Sequence, residues 1–97
     1  MKPYINPQSL VFNAKRTPGF QEYLWESDWK QWDLLQHAQN VVDDYTSHWD
    51  EDTVILPSTV TYMVGDFIES LLREQKLEYR TNFHPNLRVE KYGKIKF

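Results

Sequence analysis

The sequence contains no cysteine and only three glycines, and each shortage excludes a class of function. Without thiols, the 97 residues can form neither a disulfide framework nor a thiolate metal site, which is typical of a protein in a reducing compartment. Gly19, Gly65 and Gly93 are too far apart to build a glycine-rich phosphate-binding loop. We therefore expect neither cysteine chemistry nor a nucleotide-binding loop.

Long apolar runs are missing as well. The first 20 residues contain no apolar run of signal-peptide length, and nowhere do 18 consecutive apolar residues occur. The apolar share of 40% and the aromatic share of 15% nevertheless favour a folded chain over a disordered one. We expect one compact domain over residues 1–97, located in the cytoplasm and without a membrane partner.

Catalytic motifs are also lacking: the sequence has no GxSxG elbow, no P-loop and no HExxH pair. A DxxxH spacing occurs twice, as Asp33 with His37 and as Asp44 with His48, and it places each pair on one helical face. The two histidines would stand about 16 Å apart along the helix, too far to share an ion. We expect ordinary surface contacts there, and hence no catalytic residue, no metal site and no cofactor.

Two amphipathic helices are predicted in the middle of the chain. The first covers 28–49, with Ser27 or Asp28 as its cap, and a short helical turn around Phe20 precedes it. Its apolar positions recur at steps of three and four, so we expect them to face the core: Trp32, Leu35, Ala38, Val42, Tyr45 and Trp49.

The second predicted helix follows Pro57 and carries the main apolar stripe, from Val60 to Leu72. Gly65 in its interior predicts the close approach of another backbone. The preceding "TVILP" is either a short buried strand or a simple connection.

After Lys76 the apolar period changes from helix to strand. Alternation around Tyr79 and Val89, with the "HPN" turn between them, predicts an antiparallel hairpin, and "SLVFN" at 9–13 could add a third strand. The predicted fold class is therefore α+β, with two main helices packed on a small antiparallel sheet.

Charge is the one functional lead, because it is strongly segregated. Residues 22–52 carry nine acids against Lys30 alone, whereas residues 76–97 carry six basic residues against two acids. The acidic segment is either a solvated helix face, an internal partner for the basic hairpin, or a surface for a basic partner.

We adopt the third interpretation, in which an acidic, tryptophan-containing helix binds a basic surface of another protein. Nucleic-acid mimics and small inhibitors of phage or mobile elements act in this way, and a subunit of a larger assembly would have a similar composition. The predicted partner-binding residues are Trp29, Asp33, Asp43, Asp44, Asp50, Glu51 and Asp52.

The alternative places function at the opposite end of the molecule. Cations interleaved with aromatic residues on a hairpin can hold phosphates and stack bases. The residues predicted to bind nucleic acid in that case are Arg80, Arg88, Lys91, Lys94 and Lys96. A sequence pI of about 5.5 and the nearby acidic segment disfavour this alternative, and a small enzyme is the least favoured class.

Overall fold

The computed structural model describes residues 3–75, 78–83 and 86–91. In this part of the chain, helices pack on a two-stranded antiparallel sheet, which confirms the predicted α+β fold. The elements are α1 (Pro7–Lys15), α2 (Phe20–Glu26), α3 (Gln31–Thr46), α4 (Pro57–Gln75), β1 (Tyr79–Asn82) and β2 (Arg88–Lys91). None of the described helices combines the length and the apolar character needed to cross a membrane.

The segment "SLVFN" lies in α1, so its prediction as a third strand was wrong. Asn6 caps this helix by accepting a hydrogen bond from the Gln8 backbone N–H at 2.8 Å, and Pro7 occupies its first position. Both are helix-start signals, and they outweigh the strand propensity of a short apolar run. The buried positions Leu10, Val11 and Ala14 then follow helical spacing.

The predicted short helical turn is α2, and its start fixes the position of the hairpin. Gly19 has a left-handed backbone with φ of 87°, and in the helix that follows it Phe20 and Tyr23 are fully buried. The Val89 backbone N–H of β2 donates a hydrogen bond to the Pro18 carbonyl at 2.8 Å. Strand β2 is therefore held against the turn between α1 and α2.

Helix α3 is shorter than predicted, because residues 28–30 before it and 47–49 after it are not helical. It begins at Gln31, where the Asp33 carboxylate accepts a hydrogen bond from the Lys30 backbone N–H at 3.1 Å. The predicted burial of Trp32 was wrong, since its side chain is 73% exposed. The buried stripe runs through Leu34, Ala38 and Val42, and Trp32 lies about 120° from Ala38 around the axis.

Helix α4 supplies the centre of the core, as predicted. Met63, Phe67, Ile68 and Leu71 are completely buried. Residues 53–56 before it form a connection without strand structure. A Cβ at Gly65 would lie 2.6 Å from Cζ of Phe83, so the close neighbour is an aromatic side chain and not the predicted backbone.

The predicted hairpin pairs β1 with β2, with Tyr79 opposite Lys91 and Asn82 opposite Arg88. Tyr79 and Val89 are buried on its inner face. The Tyr79 hydroxyl donates to Glu26 at 2.7 Å, which ties the sheet to α2. Parts of the segment predicted to form the hairpin lie outside the described residues: Leu77, His84 and Pro85 of the predicted turn, and residues 92–97, which include Gly93, Ile95 and Phe97.

Candidate functional site: an acidic groove between the third and fourth helices

A groove runs along the surface where α3 packs against α4, and we call it the α3–α4 groove. Two adjoining clefts form it, and they share Asp44, Tyr45 and Asp66. No lysine or arginine occurs in the chain between Lys30 and Arg73, and among the described residues none lines these clefts. The other lining residues are His37, Asn40, Val41, His48, Trp49, Ser70 and Glu74.

The two walls arise from polar residues that flank the buried stripes of the two helices. On α4, Asp66, Ser70 and Glu74 follow one another at four-residue steps, which aligns them along one side of the helix. On α3, His37 and Asp44 are seven residues apart, close to two helical turns, so they lie on one side of the helix and line the same cleft. Packing of the two apolar stripes therefore brings these polar rows together.

Tyr45 connects the two walls. Its hydroxyl donates a hydrogen bond of 2.5 Å to Oδ2 of Asp66 across the groove. Burial is the main cause of a raised pKa for the Tyr45 hydroxyl, and the hydrogen bond to Asp66 and the charges of Asp66 and Asp44 raise it further. The phenol therefore stays protonated at neutral pH, and both carboxylates contribute negative potential to one place.

His37 lies at the far end of the groove and does not pair with Asp33, which caps α3 instead. Its ring packs edge-on against the Trp29 indole, with the ring centroids 4.9 Å apart. Ser70 Oγ lies 3.5 Å from Nδ1 of His37, and Glu74 Oε1 lies 3.9 Å from Nε2. The order serine, histidine, carboxylate is that of a hydrolase triad.

The chemistry needed for that reaction is not assembled around Ser70. Its hydroxyl donates to the Phe67 carbonyl at 2.8 Å, and it lies inside α4, where backbone N–H groups bond to the preceding turn. These N–H groups are not free to stabilise an oxyanion. In the described part of the chain, no three His, Cys, Asp or Glu side chains are placed to hold a metal ion.

The acids at the end of α3 oppose the helix dipole. Asp43 and Asp44 lie near its C-terminus, and its last turn contains no basic residue. A negative charge at this end of a helix is unfavourable by roughly 0.3–1 kcal/mol. Asp43 accepts a hydrogen bond from Gln39 at 2.9 Å, but within the described residues neither acid has an ion pair.

The loop that follows α3 carries three more acids, at positions 50–52. The Asp50 carboxylate accepts hydrogen bonds from the Asp52 backbone N–H at 2.9 Å and from the Thr53 hydroxyl at 3.1 Å, so it shapes the turn. Glu51 and Asp52 extend their carboxylates into solvent. We call the predicted acids at 43, 44 and 50–52 the acidic surface.

Trp49 packs against the core as expected, whereas Trp32 does not. Trp29 is half-buried, and its indole N–H donates to the Tyr23 hydroxyl at 2.7 Å, which in turn donates to the Leu71 carbonyl. Burial of this network raises the pKa of Tyr23 to about 12. The exposed tryptophans are Trp25 and Trp32, at 74% and 73%.

The hairpin cations are engaged with acids of the protein itself. Arg80 and Arg88 both form ion pairs with Glu90, at 3.7 and 2.6 Å. Lys91 binds Glu26 at 3.2 Å. The hydrogen bond from Arg88 is the main cause of a lowered pKa for the Glu90 carboxyl. Lys94 and Lys96, predicted for the same surface, lie outside the described residues.

Sequence reasoning missed the α4 wall of the groove. The available signal was the four-residue spacing of Asp66, Ser70 and Glu74 at the border of the apolar stripe. Comparison with protein-family models, with curated proteins and with solved structures finds no match to this chain. A proposal for its function therefore depends on the geometry and charge described above.

Proposed function

We propose that this protein is a non-enzymatic binding module whose acidic surface docks on a basic surface of another macromolecule. The partner class that fits best is a protein with an arginine- and lysine-rich groove, such as one that handles nucleic acid. The module would occupy that groove as an inhibitor or nucleic-acid mimic does.

One observation carries this proposal: Asp43 and Asp44 lie where their own helix disfavours negative charge, and no described cation compensates them. Folding alone gives no reason for such a placement. Residues that break a local stability rule are expected at functional sites, where a partner supplies the missing interaction. Here the missing interaction is a positive charge.

Exposed apolar side chains close in sequence to the acids support a protein partner. Val54 and Leu56, directly after the acidic loop, are 70% and 53% exposed. Large exposed aromatic and aliphatic residues beside charge are typical of interfaces in which apolar contacts supply affinity and charge supplies specificity.

The nucleic-acid alternative has no comparable support. All three described cations on the predicted hairpin surface are paired with carboxylates, and binding a phosphate there would have to displace Glu90 or Glu26. The alternative stays a prediction, and the same experiment can decide between the two.

The experiment compares charge reversals at equal net charge. Nona-arginine peptide and single- and double-stranded nucleic acid are titrated into the wild type, an Asp43→Lys/Glu51→Lys variant and a control, Glu22→Lys/Asp28→Lys. We expect the wild type to bind the peptide, and the first variant to lose at least tenfold in affinity at low salt. The control should lose less than threefold, because Glu22 and Asp28 lie outside the acidic surface.

Equal losses in the two variants would show that only net charge matters, and would contradict a defined acidic surface. Saturable binding of nucleic acid without binding of the peptide would favour the hairpin instead. One set of titrations therefore distinguishes a net-charge effect from nucleic-acid binding by the hairpin.

A further inference from the structure

We propose that one end of the α3–α4 groove is a cage for a guanidinium group, filled by an arginine side chain of the partner. The inference rests on the proposed function and specifies where a side chain of the partner would bind. The cage is a cleft of about 330 Å³ lined by five residues: Asp44, Tyr45, His48, Trp49 and Asp66.

Two aromatic side chains form the fixed part of the cage. Tyr45 and Trp49 meet edge-to-face, with ring centroids 6.3 Å apart and planes at 72°. Both are partly buried and pack against the hydrophobic core, so their positions are set by the fold. Aromatic rings attract a cation placed over their faces, and arginine is the side chain most often found there.

Two carboxylates supply the charge. The Tyr45 hydroxyl engages only Oδ2 of Asp66, so Oδ1 of Asp66 accepts nothing from the described residues. At Asp44 the Ser47 hydroxyl bonds to the backbone carbonyl, and no described residue donates a hydrogen bond to the carboxylate. Several acceptor positions are therefore open in one cleft, and a guanidinium group can bind two of them at once through its planar set of donors.

Other ligand classes fit this cleft less well. The two carboxylates would repel an anion, and an apolar ligand would remove charge from water without compensation. A metal ion lacks a sufficient set of ligands among the described residues. A guanidinium group is preferred to an ammonium group because it is planar, more weakly hydrated, and able to stack and form paired hydrogen bonds together.

The cage also accounts for the position of Asp44. At the end of α3, its charge opposes the helix dipole in the free protein. A bound guanidinium group would place a positive charge at that helix terminus and would satisfy the carboxylate and the dipole together.

The test uses a small probe, so that it does not depend on the unknown partner. Nα-acetyl-arginine methylamide is titrated into ¹⁵N-labelled protein near neutral pH, and the indole N–H signals of the tryptophans are followed by NMR. We expect a saturable shift of the Trp49 signal, with affinity in the millimolar range. The exposed Trp25 and Trp32 serve as internal controls and should shift far less.

Matched variants locate the site. Asp66→Asn should weaken the probe at least fivefold, whereas Asp52→Asn, the same change on the exposed loop, should alter affinity less than twofold. A citrulline analogue, which has the same shape without charge, should not bind measurably. Trp49→Phe removes one indole signal and thereby assigns it to Trp49. The same variant should bind the probe severalfold more weakly, and its affinity is measured from the backbone amide signals of Tyr45 and Asp66.

Several results would overturn the cage: no saturable shift, equal shifts at Trp25 and Trp49, unchanged affinity in Asp66→Asn, or equal binding of the citrulline analogue. Equal binding of the matching lysine compound would overturn the guanidinium assignment. If the probe fails while nona-arginine binding still depends on Asp43 and Glu51, the cage is wrong and the proposed function stands. If the probe binds while nona-arginine fails, the acidic surface is wrong as a docking face.

Discussion

Gly19 has a backbone conformation that residues with a side chain rarely adopt. Its φ of 87° is left-handed, and a Cβ there would lie 1.9 Å from the Val89 carbonyl oxygen. Gly19→Ala would combine backbone strain of about 1–3 kcal/mol with a clash against β2. We expect a loss of at least about 2 kcal/mol in the free energy of unfolding, measured by urea denaturation.

The second described glycine is a control for this prediction. At Gly65 the nearest obstacle is the end of the Phe83 side chain, which is partly exposed and can rotate. Alanine in a helix interior gains about 1 kcal/mol over glycine, so Gly65→Ala should change stability by less than about 1 kcal/mol. A loss in Gly65→Ala that matched Gly19→Ala would contradict the importance of the left-handed turn.

Phe67 and Trp32 test the assignment of core and surface. Phe67 is completely buried, so Phe67→Ala should cost about 3–5 kcal/mol, a large part of the stability of a domain of this size. Trp32→Ala should change stability by less than about 0.5 kcal/mol, because the indole is exposed. Thermal melting of the two variants measures both effects, and a large loss in Trp32→Ala would restore its predicted core position.

The tryptophans show where residue-level prediction stopped. Spacing alone placed Trp32 on the apolar stripe, since it lies three residues before Leu35. The true stripe is rotated toward Leu34 because α1 and α4 both pack on α3 and select the face they cover. Which tryptophan stays in solvent depends on those neighbouring helices, and no local pattern contains that information.

At the scale of elements, Glu26 joins α2 to the hairpin and should make their association sensitive to acid. Hydrogen bonds from Tyr79, and then from Lys91, lower the pKa of the Glu26 carboxyl below its ordinary value of 4.5. The folded state therefore prefers the ionised form. This contribution is fully present above about pH 4.5 and is lost as the pH falls through the lower folded-state pKa.

Glu26→Gln should consequently lower the melting temperature at neutral pH, and the difference from wild type should shrink as the pH falls to about 3. Melting curves across this range measure the effect. The control is Glu51→Gln, which should not lower the melting temperature at neutral pH, since no described residue pairs with Glu51. A difference for Glu26→Gln that stayed constant with pH would refute a role for its charge.

Helices and strands were predicted correctly where the local sequence signals agreed, and a prediction was wrong where two signals competed. The stripe of α4 and the alternation around Tyr79 each indicated one structure. "SLVFN" carried strand-like residues but followed the Asn6 cap and Pro7, and the start signals decided. The groove could be predicted only in part, because its walls come from two helices whose alignment depends on tertiary packing.

At the scale of the whole molecule, charge is distributed in a way that stability does not explain. The described hairpin cations are paired with Glu26 and Glu90, not with the acidic surface. Within the described residues, the acids of the acidic surface therefore have no ion pair. Asp43 is adjacent to Asp44 in sequence, and Asp50, Glu51 and Asp52 are consecutive. Like charges so close in the chain repel, and such a surface is maintained at a cost in stability.

Neutralising part of this surface should therefore stabilise the protein. Asp43→Asn/Asp44→Asn removes two charges that oppose the dipole of α3, and we expect a gain of about 0.5–1 kcal/mol in urea denaturation at low salt. The gain should diminish at about 1 M salt, where charges more than about 3 Å apart are largely screened.

Asp33→Asn is the control with the opposite expected sign, because Asp33 lies in the first turn of the same helix, where negative charge is favourable. It should lower stability under the same conditions. If Asp43→Asn/Asp44→Asn instead lowered stability, these acids would be neutralising basic groups of their own chain, and the acidic surface would belong to the architecture of the fold and not to a partner.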